Sequence, residues 1–328
     1  MFAIYYLTFN NSFEYCTKIC YHCLCMENNI KIATVCGLCA GCTYAINQTQ
    51  NALDKGKNVT LFKEIVHNKN VNNMLKAQGV NFCDRLEDLP KDHTIILRAH
   101  GEPESTITNL SSNGYSFVDC TCINVKKIHE QVLSHSTNGK IIIIIGKYGK
   151  HNGVIHPEIE GTIGWSKTEP VLIEDADDIK KLEGFSNTSF YLVCQTTFNM
   201  EKADALITEI ENTLSKNNNQ IEINKSICLA QKQINLSSQK LAKESDLMIV
   251  VGGKNSSNTT ELYNGLKTIT KTIFVEDINL VFDELAQNNI TLSKDLKIGL
   301  TAGASTLRSE LETLKEILTT KLKELENV

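Results

Sequence analysis

Three times along this chain an apolar strand pattern runs into a cysteine, and a helical pattern follows. KIATVCGLC ends at Cys39, YSFVDCTC at Cys122 and QIEINKSIC at Cys228. The helical stretches AGCTYAINQTQNAL, INVKKIHEQVLSHS and LAQKQINLSSQKLAKE come next, and a second strand begins after each: VTLFKEIV, KIIIIIG and DLMIVVGG. Each second strand enters a polar loop, holding His67, then His156 with Glu158, then Ser256, Ser257 and Asn258. A helix, a short strand and an acidic segment follow. A third strand then ends in a further polar loop, with His100, Thr196 or Ser305.

Strand and helix periods alternate in this way along the chain, which predicts the α/β class. The repeated order predicts three small α/β/α units in a pseudo-threefold arrangement. Residues 1–30 form an extra N-terminal segment, 31–121 the first unit, 122–226 the second and 227–308 the third. Residues 309–328, apolar at helical spacing, form a C-terminal helix that packs on the core. An ordinary doubly wound sheet with scattered loops fits the alternation too, but less economically. Ligands in open α/β sheets bind beyond the carboxyl ends of strands, and all six polar loops sit there.

Composition narrows the partners. The net charge of −5 and the absence of a Lys/Arg stripe leave no footprint for nucleic acid. No apolar run reaches the roughly 18 residues of a membrane span. The N-terminus is apolar but lacks the basic region and cleavage site of a signal peptide. Twelve cysteines in a long α/β chain suggest thiols or metal ligands in a reducing compartment, with cytoplasm as the default location.

Cys39, Cys122 and Cys228 each stand at a helix start, where unpaired N–H groups and partial positive charge stabilise a thiolate. Three such thiolates, converging, would hold a 4Fe-4S cluster through three irons and leave the fourth open to a substrate oxygen. The same spacing suits three buried structural cysteines, and spacing alone does not choose between them. The other residues have plain alternatives as well. A loop histidine can simply be solvated, Ser-Ser-Asn can cap a helix, and Glu158 can sit in a surface ion pair.

The motifs around these residues are more specific. GLCAG at 37–41 carries Cys39, EIVHN at 64–68 carries His67, and RAHG at 98–101 carries His100. DCTC at 119–122, HPEIEGT at 156–162, QTT at 195–197, GKNSSN at 253–258 and TAGAS at 301–305 complete the series. In this order, from about residue 31 to 310, the chain resembles the LytB/IspH family of iron–sulfur reductases. The resemblance implies three α/β/α units around one central cluster. It implies the last step of the non-mevalonate (MEP) isoprenoid pathway: reductive dehydroxylation of 4-hydroxy-3-methylbut-2-enyl diphosphate to isopentenyl and dimethylallyl diphosphates. It implies one 4Fe-4S cluster per chain on Cys39, Cys122 and Cys228. Glu158 becomes the proton donor, with Thr196 and His156 as its neighbours. His67, His100, His156, Thr196, Ser256, Ser257, Asn258 and Ser305 become the substrate contacts. Ferredoxin or flavodoxin becomes the electron donor.

The chain departs from the family pattern in places. Cys36 stands where the family commonly has a basic residue, and with Cys39 and Cys42 it spells C-x-x-C-x-x-C. Ile123 replaces a common proline, and residues 150–155 read as an insertion before His156. Cys36, Cys42, Cys83, Cys120 and Cys194 are expected to be structural or incidental. Residues 1–30 lie outside the resemblance. Cys16, Cys20 and Cys23 have the C-x3-C-x2-C spacing of a radical-SAM enzyme, a reading that demands an α/β barrel. A non-enzymatic zinc-binding interaction module is a further alternative. Met26 is a natural start for the first strand, so mature protein is expected to begin near it.

Overall fold

The computed structural model describes residues 29–66, 68–254 and 256–325, and none of their helices is long and apolar enough to cross a membrane. The strands are β1 (Ile30–Ile32), β2 (Val59–Phe62), β3 (Asn81–Cys83), β4 (Thr94–Leu97), β5 (Ser116–Asp119) and β6 (Ile141–Ile145). They continue as β7 (Val171–Ile173), β8 (Ser189–Cys194), β9 (Gln220–Asn224), β10 (Leu247–Val251), β11 (Lys271–Val275) and β12 (Ile298–Ala302). The α-helices are α1 (Ala40–Asp54), α2 (Lys69–Ala77), α3 (Glu104–Ser112), α4 (Ile123–Thr137) and α5 (Pro157–Ile163). After them come α6 (Met200–Ser215), α7 (Leu229–Ala242), α8 (Ser257–Lys267), α9 (Val281–Gln287) and α10 (Arg308–Glu324).

The described strands form three parallel sheets of four strands, ordered β3-β2-β4-β5, β7-β6-β8-β9 and β11-β10-β12-β1. The internal order is the same in each, so the α/β class and the three units stand. The strands before Cys122 and Cys228 close the sheets that precede them, β5 on β4 and β9 on β8. By the same rule β1 closes the last sheet, with Ile30 opposite Ile298 and Ile32 opposite Leu300. Sequence order alone groups that strand with the first unit. Its pairing partner lies more than 260 residues away, and strand periodicity does not reveal a neighbour at that distance. Three open sheets are not the barrel that the radical-SAM alternative needs.

The chain divides into two compact units. The larger, 38–233 with 255–261, holds the β2–β5 and β6–β9 sheets, and the smaller holds the β1/β10–β12 sheet. A parallel sheet covered on both faces calls for unbroken apolar strands, and β6 is five consecutive isoleucines. Ile143 and Ile145 pack with Ile207 and Ile210 of α6, while Ile142 and Ile144 pack with Ile128 and Val132 of α4. Burying each such side chain contributes about 2 kcal/mol. In the smaller unit α10 turns Leu311, Leu314, Leu318 and Leu322 onto Ile249 and Leu300. With their faces occupied by this packing, the sheets leave the loops at their carboxyl ends to carry chemistry.

Candidate active site

The three repeat cysteines, all in the larger unit, have the same local setting. Cys39 is the N-cap of α1 and Cys122 the N-cap of α4, and Cys228 immediately precedes α7. The helices begin on them: Thr43 N–H donates to Cys39 O at 2.9 Å and Lys126 N–H to Cys122 O at 2.8 Å. Their thiols are half-buried and face the first-turn N–H groups, those of Gly41 and Cys42 for Cys39 and those of Asn124 and Val125 for Cys122. Asn124 Nδ2 also donates to Cys228 Sγ at 3.5 Å. Gly41 permits this convergence, because a Cβ there would lie 3.1 Å from Cys122 Sγ.

The thiols sense one another. A hydrogen bond from Cys42 holds the Cys39 pKa down to about 6 against the upward pull of burial. The same bond, with burial, pushes the Cys42 thiol up. Burial raises Cys122, and negative charge on Cys39 and Cys228 raises it further. Negative charge on one of these sulfurs therefore opposes charge on Cys122, and a cation among them would relieve that repulsion. Among the described residues no set of three or more His, Cys, Asp or Glu side chains suits a single metal ion. Thiol sulfur is the donor that iron–sulfur clusters take, so the chemistry of these three residues fits one. Cys120 and Cys194 differ: both are buried, and burial pushes each thiol up to about 12. Cys36 donates to Ala33 O at 3.2 Å.

The candidate acid is tied to the third cysteine by a run of bonds. Cys228 N–H donates to Thr196 O at 2.8 Å. Thr196 in turn donates its N–H to Glu158 Oε1 and its hydroxyl to Glu158 Oε2, both at 2.6 Å. Glu158 is 2% exposed, and burial pushes its pKa up to about 7 despite the two Thr196 bonds. It lies in the first turn of α5, whose N-cap is His156. His156 Nδ1 accepts the Glu158 N–H at 3.2 Å, which leaves the proton of the neutral ring on Nε2. The His100 ring stands edge-on to it with centroids 5.6 Å apart. The loop that carries His100 is tied to the second cysteine, because Ala99 O accepts the Cys122 N–H at 3.0 Å.

The α8 end of the larger unit offers neutral donors and acceptors. Ser256 is buried, and its Oγ accepts the Thr259 N–H at 3.4 Å. Ser257 opens α8, and Asn258 Oδ1 is buried without a hydrogen bond among the described residues. An ion pair of 3.5 Å between Glu261 and Lys147 ties α8 to the loop after β6. Ser305 is a buried residue of the smaller unit, between β12 and α10. His67, Cys16, Cys20 and Cys23 lie outside the described residues.

The structure thus brings together Cys39, Cys122, Cys228, Glu158, Thr196, His156 and His100 in one unit. Sequence reading passed over Asn124, which reaches the third thiol, and the charged residues Lys63, Arg98, Glu102 and Glu160. Arg98 and Glu160 stand inside motifs already singled out, and their charge was the available signal.

Comparisons with known proteins converge on one family. A family profile described as LytB protein matches residues 30–319. The 4-hydroxy-3-methylbut-2-enyl diphosphate reductase of Clostridioides difficile is 34% identical over 279 residues, covering 85% of this chain and 94% of that protein. The protein of the same name from Ehrlichia ruminantium (strain Gardel) is 31% identical, covering 92% and 90%. Among solved structures, the E-1-hydroxy-2-methyl-but-2-enyl-4-diphosphate reductase of Plasmodium falciparum has a TM-score of 0.76 at 27% identity, covering 88% of this chain and 87% of that one. An (E)-4-hydroxy-3-methyl-but-2-enyl diphosphate reductase, described as the terminal enzyme of the non-mevalonate pathway, has a TM-score of 0.66 at 29% identity, covering 89% and 99%.

Proposed function

The chain belongs to the LytB family, and from that premise we propose that it reduces 4-hydroxy-3-methylbut-2-enyl diphosphate to isopentenyl and dimethylallyl diphosphates. The reaction consumes two electrons and two protons and releases water. The observation that carries the reading is the bonded path from Cys228 through Thr196 to the buried Glu158. It supports an acid held in register with a metal-binding thiol.

Cys39, Cys122 and Cys228 would hold a 4Fe-4S cluster, which when bound supplies electrons one at a time and an open iron as Lewis acid. The remaining work falls to side chains. Hydroxide is a poor leaving group, so a proton must reach the substrate oxygen. A carboxyl with a pKa of about 7 keeps much of its proton at neutral pH and can supply it. The Thr196 hydroxyl, bonded to that carboxyl, orients the acid and can pass the proton on. His156, with its proton on Nε2, and His100 offer donors to the diphosphate, as do Ser256, Ser257, Asn258, Ser305 and His67. Backbone N–H groups at the start of α8 add to them without any basic patch. This accounts for an anionic substrate on a chain of net charge −5. Ferredoxin or flavodoxin in the cytoplasm would be the electron source. Free cysteines throughout the described residues accord with a reducing compartment.

The test is anaerobic reduction of the allylic diphosphate with a dye donor, with iron counted in the same sample. The expected outcome is turnover with about four irons per chain. Serine at Cys39, Cys122 or Cys228 is expected to remove both. Full iron and turnover in any of those variants would refute the ligand assignment.

A further inference from the structure

Four charged side chains that take no part in the proposed chemistry join the segments that carry it. Lys63 leaves β2, Arg98 and Glu102 flank His100 in sequence, and Glu160 lies on α5 beyond Glu158. Arg98 Nε is 2.6 Å from Glu102 Oε1, and Arg98 Nη2 is 3.0 Å from Glu160 Oε2. Lys63 Nζ completes the ring, 3.3 Å from Glu160 Oε2 and 3.7 Å from Glu102 Oε2. Two cations meet two carboxylates, and the Arg98 and Glu102 side chains are 6% and 0% exposed.

Stability does not explain such a ring. The cost of taking charges out of water roughly cancels their attraction, and apolar side chains of equal volume hold a fold as well or better. The contacts to Glu160 also have hydrogen-bond direction, from Arg98 Nη2 and Lys63 Nζ, and so fix relative position, whereas those to Glu102 are ion pairs without it. Lys63 holds a φ of +63°, a conformation a lysine keeps only where its surroundings impose it. The turn around His100 is seated on α5 by backbone as well. A Cβ at Gly161 would lie 3.0 Å from Gly101 O, and Trp165 Nε1 donates to Glu102 O at 2.9 Å. The ring therefore joins the loop after β2, the 98–102 turn with its histidine, and the helix that begins at His156.

We propose that Lys63, Arg98, Glu102 and Glu160 are positioning residues. They form a charge-balanced clamp that holds His100, His156 and the loop after β2 at the spacing a diphosphate requires. The inference rests on the reductase reading and adds to it the residues that set the anion-binding geometry.

The test measures binding of inorganic pyrophosphate to the anaerobic, iron-loaded protein by calorimetry, in Lys63→Met, Glu160→Gln and the double variant. Each single change unbalances the ring by one charge and is expected to weaken binding about tenfold; the double change restores balance on Arg98 and Glu102, so its loss stays near tenfold rather than the about hundredfold of independent sites. Iron content is expected to match wild type, while the unfolding midpoint falls in each single variant, which leaves a buried charge unbalanced, and recovers in the double; binding is measured well below every midpoint, so general loss of structure would not give this pattern. Singles that bind like wild type, or losses that multiply in the double variant, overturn the clamp. Should either single fail to fold, Arg98→Lys keeps the charge and loses the two-pronged geometry. Its expected loss is again about tenfold, and unchanged binding overturns the proposal. Wild-type protein that does not bind pyrophosphate overturns the diphosphate reading and the clamp with it.

Discussion

The β7-β6-β8-β9 sheet and the β11-β10-β12-β1 sheet share one strand order, yet their carboxyl ends hold opposite kinds of polar group. The first ends in an ionisable carboxyl, Glu158, buried against Thr196. The second ends in hydroxyls: Thr301 Oγ1 lies 2.6 Å from Ser238 Oγ, Thr306 Oγ1 donates to Val251 O at 3.3 Å, and Ser305 follows β12 closely. Burial acts differently on the two. It lifts the pKa of a carboxyl by penalising its charged form, and it leaves a bonded hydroxyl neutral at every accessible pH. One chain thus carries an edge whose buried carboxyl can titrate and an edge that is indifferent to pH, and the side chain at the strand exit decides which.

The largest effect expected from this contrast is at the acid. Glu158→Gln should bind substrate and keep its iron, while kcat falls roughly 10^3-fold. Steady-state kinetics with parallel substrate binding measures this, and near-normal kcat would place the proton elsewhere. Wild-type kcat should itself fall as pH rises past about 7, because the donor must be protonated to act. A pH profile from mildly acidic to basic buffer shows that limb, and Glu158→Gln should lack it.

The same burial predicts a stability change. The folded pKa of Glu158 is about 7 against an ordinary 4.5. Between those values the folded state binds more protons than the unfolded chain, so stability falls as pH rises. The contribution, full below the ordinary value and lost through about pH 7, amounts to about 3 kcal/mol. Urea unfolding of wild type and Glu158→Gln at several pH values checks it, with the variant expected to lose the slope. The smallest effect belongs to the hydroxyl edge. Ser305→Ala should weaken substrate binding by about 1 kcal/mol, roughly fivefold. Its ratio to wild type should stay constant with pH; a ratio that varies would blur the contrast between the edges.

How much of this was legible beforehand depends on distance along the chain. The three cysteines could be assigned to helix starts because strand, cysteine and helix are neighbours, and Cys39 and Cys122 do cap their helices. His156 could be placed before a helix because Pro157 favours a first helical position. The partner of β1 was not legible, since Ile30 pairs with Ile298 from the far end of the chain. Nor was the ring around Arg98, whose contact with Glu160 spans 62 residues.

The residue order therefore set the alternation of strands and helices, the repeat, and the kinds of side chain at each strand exit. These follow from periodicity and from groups a few residues apart. The fold alone set which thiols sense one another, which carboxyl keeps its proton near neutrality and which charges balance. Each of those depends on the exclusion of water and on the approach of distant segments, and neither exists until the chain has packed.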